Sequence, residues 1–477
     1  MTRDEAVTAS TLIDIAVAGE IGHSANVARN VLIEAEYPVS RASVPHFVEH
    51  LQRGAKPAHH WRCGIELEVF GYDAQHAFAR LDAAQVQSTL ARLASPADQV
   101  AFEAGALVEV NAGEQHGRIT VEPGGQIEFS GAPERSLYTV EREAKRHLAK
   151  MSEIARECGY IFLAAGFDPL RTIEEQHWFP KSRYGVMRPF LAARGGRAWD
   201  MMCRTCAVQI NLDYEGPEDL AKKFILGNRL SPIITAIFAN SPFENGKLSG
   251  YKSTRAAAWM ETDAERTGLS PLALTDDFSP AAFVAYALNI PMIFVRRNER
   301  CLELPANLKF SDFLDHGYAQ ITPRFGDWIE HLTTIFTDAR LKQHLEMRSA
   351  DCNNLALAMA LAALWKGLMY ERSALDEALH LMPKLKHWDA LELRRAVARD
   401  GLAAYAPGVR VLDIAKQLVE LAFEGLQRIA AEETRYLEIL REMVIEDEIC
   451  PADILLRNYH GAWHGSMSRV LDYLRIA

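Results

Sequence analysis

The stretch TVEPGGQIEFSG, residues 120–131, combines the alternation of a β-strand with a Pro-Gly-Gly break at its centre. Glu122 precedes the break and Glu128 follows it. Because proline and paired glycines cannot continue a central strand, the pattern predicts a turn or bulge with a carboxylate on each side. Glycines at this point would also let the backbone come close to a ligand.

A second acidic strand is predicted upstream, in GIELEVFGY, residues 64–72. Glu66 and Glu68 are two residues apart and therefore share one strand face, whereas the apolar residues between and beside them face the core. Neighbouring carboxylates repel one another unless a cation lies between them or the face is hydrated. Because Mg²⁺ prefers carboxylate oxygens, the two segments predict a magnesium site formed by Glu66, Glu68, Glu122 and Glu128. A hydrated strand face is the alternative.

The rest of the chain mixes short alternating segments with helical ones. Strands are predicted in GIELEVFGY, ALVEVNA, RITVEP, YIFLAAGF, CAVQINLDY and PMIFVRR. Strands and helices do not alternate regularly, which favours an α+β fold with a largely antiparallel sheet flanked by helices. We expect a helical N-terminal extension over 1–60 and a single domain over 61–477, sheet-rich over 61–325 and mainly helical over 326–477.

Composition restricts the class of partner. The 477 residues carry a formal net charge of −11, which argues against nucleic acid or an anionic membrane as the main partner. The first residues lack the basic start and apolar core of a signal peptide, and the longest apolar run, LALAMALAALW, is too short to span a bilayer. Seven cysteines without a regular framework fit a reducing compartment. These features together predict a cytoplasmic protein.

Two segments concentrate positive charge. PKSRYGVMR, residues 180–188, places Lys181, Arg183 and Arg188 around Tyr184. GYKSTRAAAWMETDAERTG contributes three more basic side chains further along the chain. Guanidinium groups bind carboxylates and phosphates through paired hydrogen bonds, so both segments suit an anionic substrate, although each could be a hydrated surface.

A third polar segment is CRTCAVQINLD, residues 203–213. Gln209 and Asn211 are two apart on a predicted strand, and with Arg204 they could line a polar sheet face. The single Cys-x-x-Cys pair cannot complete a four-ligand zinc site, so we interpret its thiols as structural. The sequence contains no P-loop, so any ATP must be bound by another arrangement.

Several of these motifs, in this order, resemble one known family. The resemblance rests on EPGGQIEFSGAP, PKSRYGVMR, DMMCRTCAVQINLD, SPIITAIFANSPFENGK and HLTTIFTDARLKQHLEMRSAD. Together, over roughly residues 60–475, they are similar to glutamate–cysteine ligase of the plant and proteobacterial type. The resemblance implies a glutamine-synthetase-like fold whose antiparallel sheet forms the floor of the active site. It also implies an ATP-dependent ligase that makes a γ-glutamyl phosphate from L-glutamate and passes the γ-glutamyl group to an amine, most simply L-cysteine in glutathione biosynthesis.

The resemblance also assigns roles to residues, here as expectations. The four glutamates become Mg²⁺ ligands, and Arg255 becomes the arginine that binds the α-carboxylate of glutamate. Catalytic roles are expected for Arg255, Arg183 and Lys181; substrate contacts for Arg255, Arg188, Tyr184, Trp259 and Arg204; and contacts to ATP for Gln209, Asn211 and Lys181. We expect a monomer or homodimer whose partners are small molecules.

Two departures from the family pattern concern the acceptor. The family's first acidic strand reads G-T-E-H-E-K-F-G-F, whereas Leu67 and Val69 replace the His and Lys here. The family's S-M-R-S-H-I-W is STRAAAW, which keeps Arg255 and Trp259 but has alanines between them. Two alternatives therefore stay open: a ligase that joins glutamate to another amine in specialised metabolism, and an inactive homologue that acts as a binding subunit.

Overall fold

The computed structural model describes residues 35–113, 117–298, 300–382 and 386–476. Most of the predicted N-terminal extension, residues 1–34, lies outside the described residues. The remainder of the extension contains a helix at Val44–Gln52 that buries Phe47 and Leu51.

The strands are β1 Cys63–Asp73, β2 Ala79–Arg80, β3 Gln99–Glu103, β4 Ala106–Asn111, β5 Arg118–Val121, β6 Ile127–Ser130, β7 Tyr160–Leu163, β8 Ala207–Leu212, β9 Phe243–Glu244, β10 Lys247–Leu248, β11 Thr267–Gly268, β12 Phe294–Arg297, β13 Arg300–Glu303, β14 Phe336–Thr337, β15 Ala339–Leu341, β16 Leu345–Asp351, β17 Tyr405–Ala406 and β18 Val409–Arg410. The helices are α1 Val44–Gln52, α2 Ala83–Leu93, α3 Leu137–Cys158, α4 Ser182–Ala192, α5 Ala198–Arg204, α6 Pro217–Ile237, α7 Thr254–Met260, α8 Pro271–Thr275, α9 Pro280–Leu288, α10 Phe310–His316, α11 Phe325–Thr333, α12 Leu355–Tyr370, α13 Arg372–Leu381, α14 His387–Asp400, α15 Val411–Ile429, α16 Glu438–Leu440, α17 Pro451–His460 and α18 Met467–Leu474.

A ten-stranded antiparallel sheet organises the described residues, with the order β15-β16-β8-β1-β6-β5-β4-β3. Strand β1 lies in the middle: its first half pairs with β6 and β8, and its second half pairs with β2 and β7. The antiparallel sheet that the sequence predicted is therefore confirmed.

The two faces of the sheet differ in polarity as the alternation in β1 predicted. Ile65, Leu67 and Val69 are each at most 5% exposed. Helices α3, α6 and α12 contact strands of this sheet, and α12, the apolar run beginning LALAMALAALW, is almost wholly buried. With the apolar face covered by helices, the polar face is left for other contacts.

The Pro-Gly-Gly break forms the turn of the β5–β6 hairpin. Glu122 N–H donates to the Gln126 carbonyl at 2.9 Å, and Gly125 N–H donates to the Glu122 carbonyl at 2.9 Å. Gly125 has a φ of 76°, which favours glycine. The predicted turn is thus present, with a carboxylate at its start and another on the returning strand.

The expectation that both glycines leave room for a ligand needs correction. A Cβ built on Gly124 would lie 2.5 Å from the Cys203 carbonyl oxygen, so its space is taken by the backbone of the chain that leads into β8. Glycine is required here for packing of the turn against α5.

The region expected to be mainly helical, residues 326–477, also contributes two strands to the main sheet. Residues 339–341 and 345–351 form β15 and β16, which extend the main sheet beside β8. The segment carries charged residues on alternate positions, a strand pattern that surrounding helical sequence obscures. This edge of the sheet contributes to the candidate site.

We expect Gly124→Ala to destabilise the fold by about 1–3 kcal/mol, because its methyl group would collide with the backbone of Cys203. Gly185→Ala is the matched control: it lies in α4 with open space around a built Cβ, and alanine there should be neutral or stabilising. Urea unfolding of the two variants measures the difference. Equal stabilities would contradict the close packing of the turn.

Candidate active site

A cavity of about 450 Å³ opens on the polar face of the main sheet. Glu68 on β1 lies directly opposite Glu128 on β6, which in turn lies opposite Thr120 on β5. Thr120 lies opposite Glu109 on β4. Directly opposed residues share a sheet face, so one row across four strands carries three carboxylates.

The structure brings all four predicted glutamates to this cavity. Glu66, Glu68, Glu122 and Glu128 line it together. Glu68 accepts hydrogen bonds from the Ala207 N–H at 2.7 Å and from Gln209 Nε2 at 2.8 Å, so its carboxylate is fixed by β8. The proximity of the two acidic strands, which the sequence could only assume, follows from the β1–β6 pairing.

Burial and mutual repulsion raise the pKa values of Glu66, Glu68 and Glu128 above their ordinary values. Burial, followed by the nearby charges of Glu346 and Glu128, raises the pKa of Glu66 to about 7. Burial, followed by the charge of Glu122, raises the pKa of Glu128 to about 7. The pKa of Glu68 is also raised well above its usual value, first by burial and then by the charges of Glu128 and Glu122. A cation at this position would favour the charged forms.

The opposite wall of the cavity is basic and comes from β15, from β16 and from the turn between them. Arg340, Lys342 and Arg348 line the cavity, and all three contact the buried carboxylate of Glu346. Burial would raise the pKa of Glu346, but the three surrounding cations outweigh it and hold that pKa well below its usual value. The carboxylate therefore fixes three cations beside the acidic row.

This basic wall was not predicted from the sequence. The signal was available in ARLKQHLEMRSAD, where Arg340 and Lys342, and then Glu346 and Arg348, are two residues apart. That spacing places each pair on one strand face. The stretch was interpreted as part of a helical region, which hid the period of two.

Amide side chains on β8 join the two walls. Gln209 donates to Glu68 and accepts a hydrogen bond from Arg348, so a single amide connects the acidic and basic residues. Asn211 Nδ2 donates to Glu66 at 2.8 Å. The predicted contact of these two residues with ATP stays a prediction; in the structure their amides orient glutamates.

Helix α7 supplies Arg255 and Trp259 to the cavity. Ser253 caps the helix by accepting from the Ala256 N–H, and its hydroxyl donates to Asp351 at 2.8 Å. Arg255 is 5% exposed and donates to the Arg348 carbonyl at 2.7 Å. Burial lowers the pKa of Arg255, partly offset by the charge of Asp351, so this guanidinium favours an anionic ligand.

Three residues of the PKSRYGVMR segment line the same cavity: Lys181, Arg183 and Tyr184. Lys181 Nζ and the Tyr184 hydroxyl each donate to the Val121 carbonyl at 2.7 Å, immediately before Glu122. Burial lowers the pKa of Lys181, although the charge of Glu122 opposes the change. These two side chains therefore hold the acidic hairpin in addition to facing the cavity.

Two residues expected to contact substrate lie elsewhere in the fold. The Arg188 guanidinium lies over the rings of Trp178 and Trp199, at 4.3 and 4.7 Å from their centroids. Arg204 is 2% exposed and donates to Asp200 at 2.7 Å and to Asn245 at 2.6 Å. Both positive charges are already used in packing, so the structure does not bring either residue to the cavity.

The donor set suits a hard divalent cation, although its ligands are not preassembled. Within the described ranges, no group of three or more His, Cys, Asp or Glu side chains is arranged to hold a metal ion. Glu66, Glu68 and Glu128 instead accept hydrogen bonds from Asn211, from Gln209 and from the Ser130 hydroxyl. A carboxylate has about four lone-pair sites, so each retains acceptor capacity for a cation.

An antiparallel sheet that carries buried carboxylates opposite a cluster of arginines defines a site for a polyanionic substrate and cations. Comparison with known proteins specifies the family. The model of glutamate–cysteine ligase family 2 matches residues 62–472. The chain therefore belongs to this family, which confirms the resemblance and the expected class of ATP-dependent ligase.

Individual relatives agree with this assignment. The chain is 37% identical over 434 residues to the chloroplastic glutamate–cysteine ligase of Nicotiana tabacum, covering 90% of this chain and 82% of the relative. It is 34% identical over 475 residues to that of Arabidopsis thaliana, covering 98% and 90%. A crystal structure of glutamate–cysteine ligase from Francisella tularensis in complex with AMP matches with a TM-score of 0.53 at 14% identity, covering 87% of each chain. This last match shows a shared fold.

The relatives also correct one expectation. The curated relatives reported above are named as chloroplastic enzymes, so the prediction of a cytoplasmic location is wrong. The absence of a signal-peptide pattern and the cysteine usage could not distinguish between reducing compartments. Among the described residues, no helix has the length and apolar character needed to cross a membrane.

The raised pKa values predict how stability depends on pH. With a folded pKa of about 7 against an ordinary value of 4.5, Glu128 stabilises the metal-free fold most at low pH and loses that contribution as pH rises through 7. Glu128→Gln should therefore reduce the loss of stability between about pH 5 and 8. Glu157→Gln, which removes an exposed carboxylate, is the control. Denaturant unfolding at several pH values checks this, and identical pH slopes for both variants would contradict it.

Proposed function

We propose that this protein is an ATP-dependent ligase that joins the γ-carboxylate of L-glutamate to the amine of L-cysteine. The observation that carries the proposal is the Glu68–Glu128 pair facing Arg348 and Arg255 in one cavity. Family membership over residues 62–472 supports the same reaction, and the AMP bound to the Francisella tularensis enzyme supports an adenine nucleotide as substrate.

The reaction has two steps. A γ-carboxylate oxygen of glutamate attacks the terminal phosphorus of ATP, the bond to ADP breaks, and γ-glutamyl phosphate forms. The cysteine nitrogen then attacks the acyl carbon, the carbon–oxygen bond to phosphate breaks, and the amine loses a proton. Such chemistry depends mainly on positioning the reactants and stabilising charge.

The two walls of the cavity divide these tasks. Arg255 binds the α-carboxylate of glutamate, because it is buried with a low effective dielectric around its charge. Arg340, Lys342 and Arg348 stabilise the charge on the transferred phosphoryl group. Gln209 forms hydrogen bonds with both Arg348 and Glu68 and so fixes their relative positions. The acidic and basic walls can therefore contact the same substrate.

Mg²⁺ would be held by the four predicted glutamates of the cavity, Glu66, Glu68, Glu122 and Glu128. When bound, the ion supplies neutralisation of the phosphate charge. The residues themselves contribute a cluster of carboxylates, and the raised pKa values of Glu66 and Glu128 reflect the cost of burying like charges close together. The proposed metal therefore explains why this repulsion is retained.

We expect Glu122→Gln to abolish ADP formation while leaving the fold intact or slightly stabilised, because it removes a cation ligand and a repelling charge. ADP release with glutamate, cysteine and Mg²⁺ measures activity, and thermal unfolding measures the fold. Glu174→Gln, an exposed position, is the control. Near-full activity of Glu122→Gln would show that this carboxylate is not a ligand.

The acceptor is tested by a panel of amines. Helix α7 carries Ala256 against a small hollow that shares Arg255, Trp259, Phe336 and Arg348 with the active cavity, so a small apolar side chain lies beside the glutamate site. We expect cysteine to give a higher kcat/KM than serine, alanine or 2-aminobutyrate. A preference for a non-thiol amine would support the alternative in specialised metabolism, and no amine-dependent ADP release would support an inactive homologue.

A further inference from the structure

A buried ionic network lies beneath the hairpin turn that carries Glu122. Its centre is Arg80 on β2, which is 2% exposed and pairs with Asp168 at 3.0 Å. The residues that line the active cavity do not include either one. The reaction proposed above therefore gives this fully buried pair no direct task.

The Arg80 guanidinium is divided among several acceptors. Nε donates to the Gly71 carbonyl at 3.1 Å, and Nη1 donates to Asp168 and to Gln176 Oε1. Nη2 donates to the Gly124 carbonyl at 3.1 Å, inside the turn. One side chain thus connects the central strand β1 to the acidic hairpin.

Asp168 fixes the guanidinium in this orientation. Oδ1 accepts from the Tyr72 hydroxyl at 2.6 Å and from the Leu170 and Arg171 N–H groups, while Oδ2 accepts from Arg80. Burial would raise the pKa of Asp168, but the charge of Arg80 and these hydrogen bonds hold it below its usual value. The pair is therefore ionised, and its geometry is set by at least four donors.

The turn is held from its other sides as well. The Phe179 N–H donates to the Pro123 carbonyl at 2.8 Å, and Gln126 Oε1 accepts from the Gly124 N–H at 2.9 Å. The same Gln126 donates to the Met202 and Thr205 carbonyls. Beside these contacts, Arg80 supplies a charged donor to the turn. Its guanidinium fixes the position of the Gly124 carbonyl, two residues after Glu122.

We propose that Arg80 and Asp168 are positioning residues, which hold Glu122 where the cation–phosphate substrate binds by fixing the Gly124 carbonyl. The inference rests on the proposed function. Residues that orient metal ligands typically change metal affinity or activity by about 10- to 100-fold when replaced. Lysine at position 80 would keep the charge beside Asp168 but could not also reach Gly124.

The test is direct binding of Mn²⁺, followed by electron paramagnetic resonance, on the full chain without substrates. We expect Arg80→Lys to weaken Mn²⁺ binding by about 10-fold. The matched control is Arg266→Lys: Arg266 is fully buried and donates to Asp263 and to the Pro291 and Thr334 carbonyls, away from the turn. The control should lose comparable stability in urea and bind Mn²⁺ within about twofold of the unaltered protein.

A double-mutant cycle separates positioning from a general loss of structure. If Arg80 acts through Glu122, Arg80→Lys should have no further effect on residual Mn²⁺ binding in a Glu122→Gln background. Full additivity, or equal weakening by Arg80→Lys and Arg266→Lys, would overturn the proposal. If Arg80→Lys does not fold, the uncharged Arg80→Met/Asp168→Asn variant replaces it, and failure of both to fold would show a structural role only.

The proposed function and the positioning role fail in different ways. Absence of Mn²⁺ binding in the unaltered protein would overturn the metal-dependent function and this inference with it. Normal Mn²⁺ binding by both the unaltered protein and Arg80→Lys would overturn the positioning role alone.

Discussion

The pairing of β1 with β6 on one side and β8 on the other is the constraint on which the site depends. Because Glu68 faces Glu128 across one ladder and contacts Gln209 across the other, the register of three strands places opposed charges within reach of one substrate. A shift of one residue in either ladder would turn the glutamates toward the helices and the apolar side chains toward the cavity. The core and the site therefore depend on the same hydrogen bonds.

Both sides of the site carry buried charges, which are unfavourable unless they are compensated. On the acidic side, burial and repulsion raise carboxyl pKa values, and this cost is relieved when a cation binds. On the basic side, a single buried carboxylate, Glu346, already compensates Arg340, Lys342 and Arg348. The acidic wall therefore favours the binding of a cation, and the basic wall favours the binding of an anion. This asymmetry suits a substrate in which phosphate and metal bind together.

Different parts of the site were predictable to different degrees. The period of two in GIELEVFGY put Glu66 and Glu68 on one face, and the buried Ile65 and Leu67 on the other agree with that reasoning. The structure does not bring Arg188 and Arg204 to the cavity, because charge and motif membership do not reveal which side chains surround a residue. Arg188 lies over two tryptophan rings, and Arg204 donates to Asp200 and Asn245. The basic wall was missed because β15 and β16 lie in a region that the sequence pattern indicated to be mainly helical.

The sequence by itself determined the alternation of the acidic strands, the turn between Glu122 and Glu128, the class of fold and, through its motifs, the family. These features are local, since they depend on residue spacing and on the conformations that proline and glycine allow. Only the tertiary structure decided that Gln209 meets both Arg348 and Glu68, and that Arg80 reaches Gly124. Those contacts join residues 44 to 141 positions apart in the chain, and their formation depends on strand order and packing, which residue spacing does not encode.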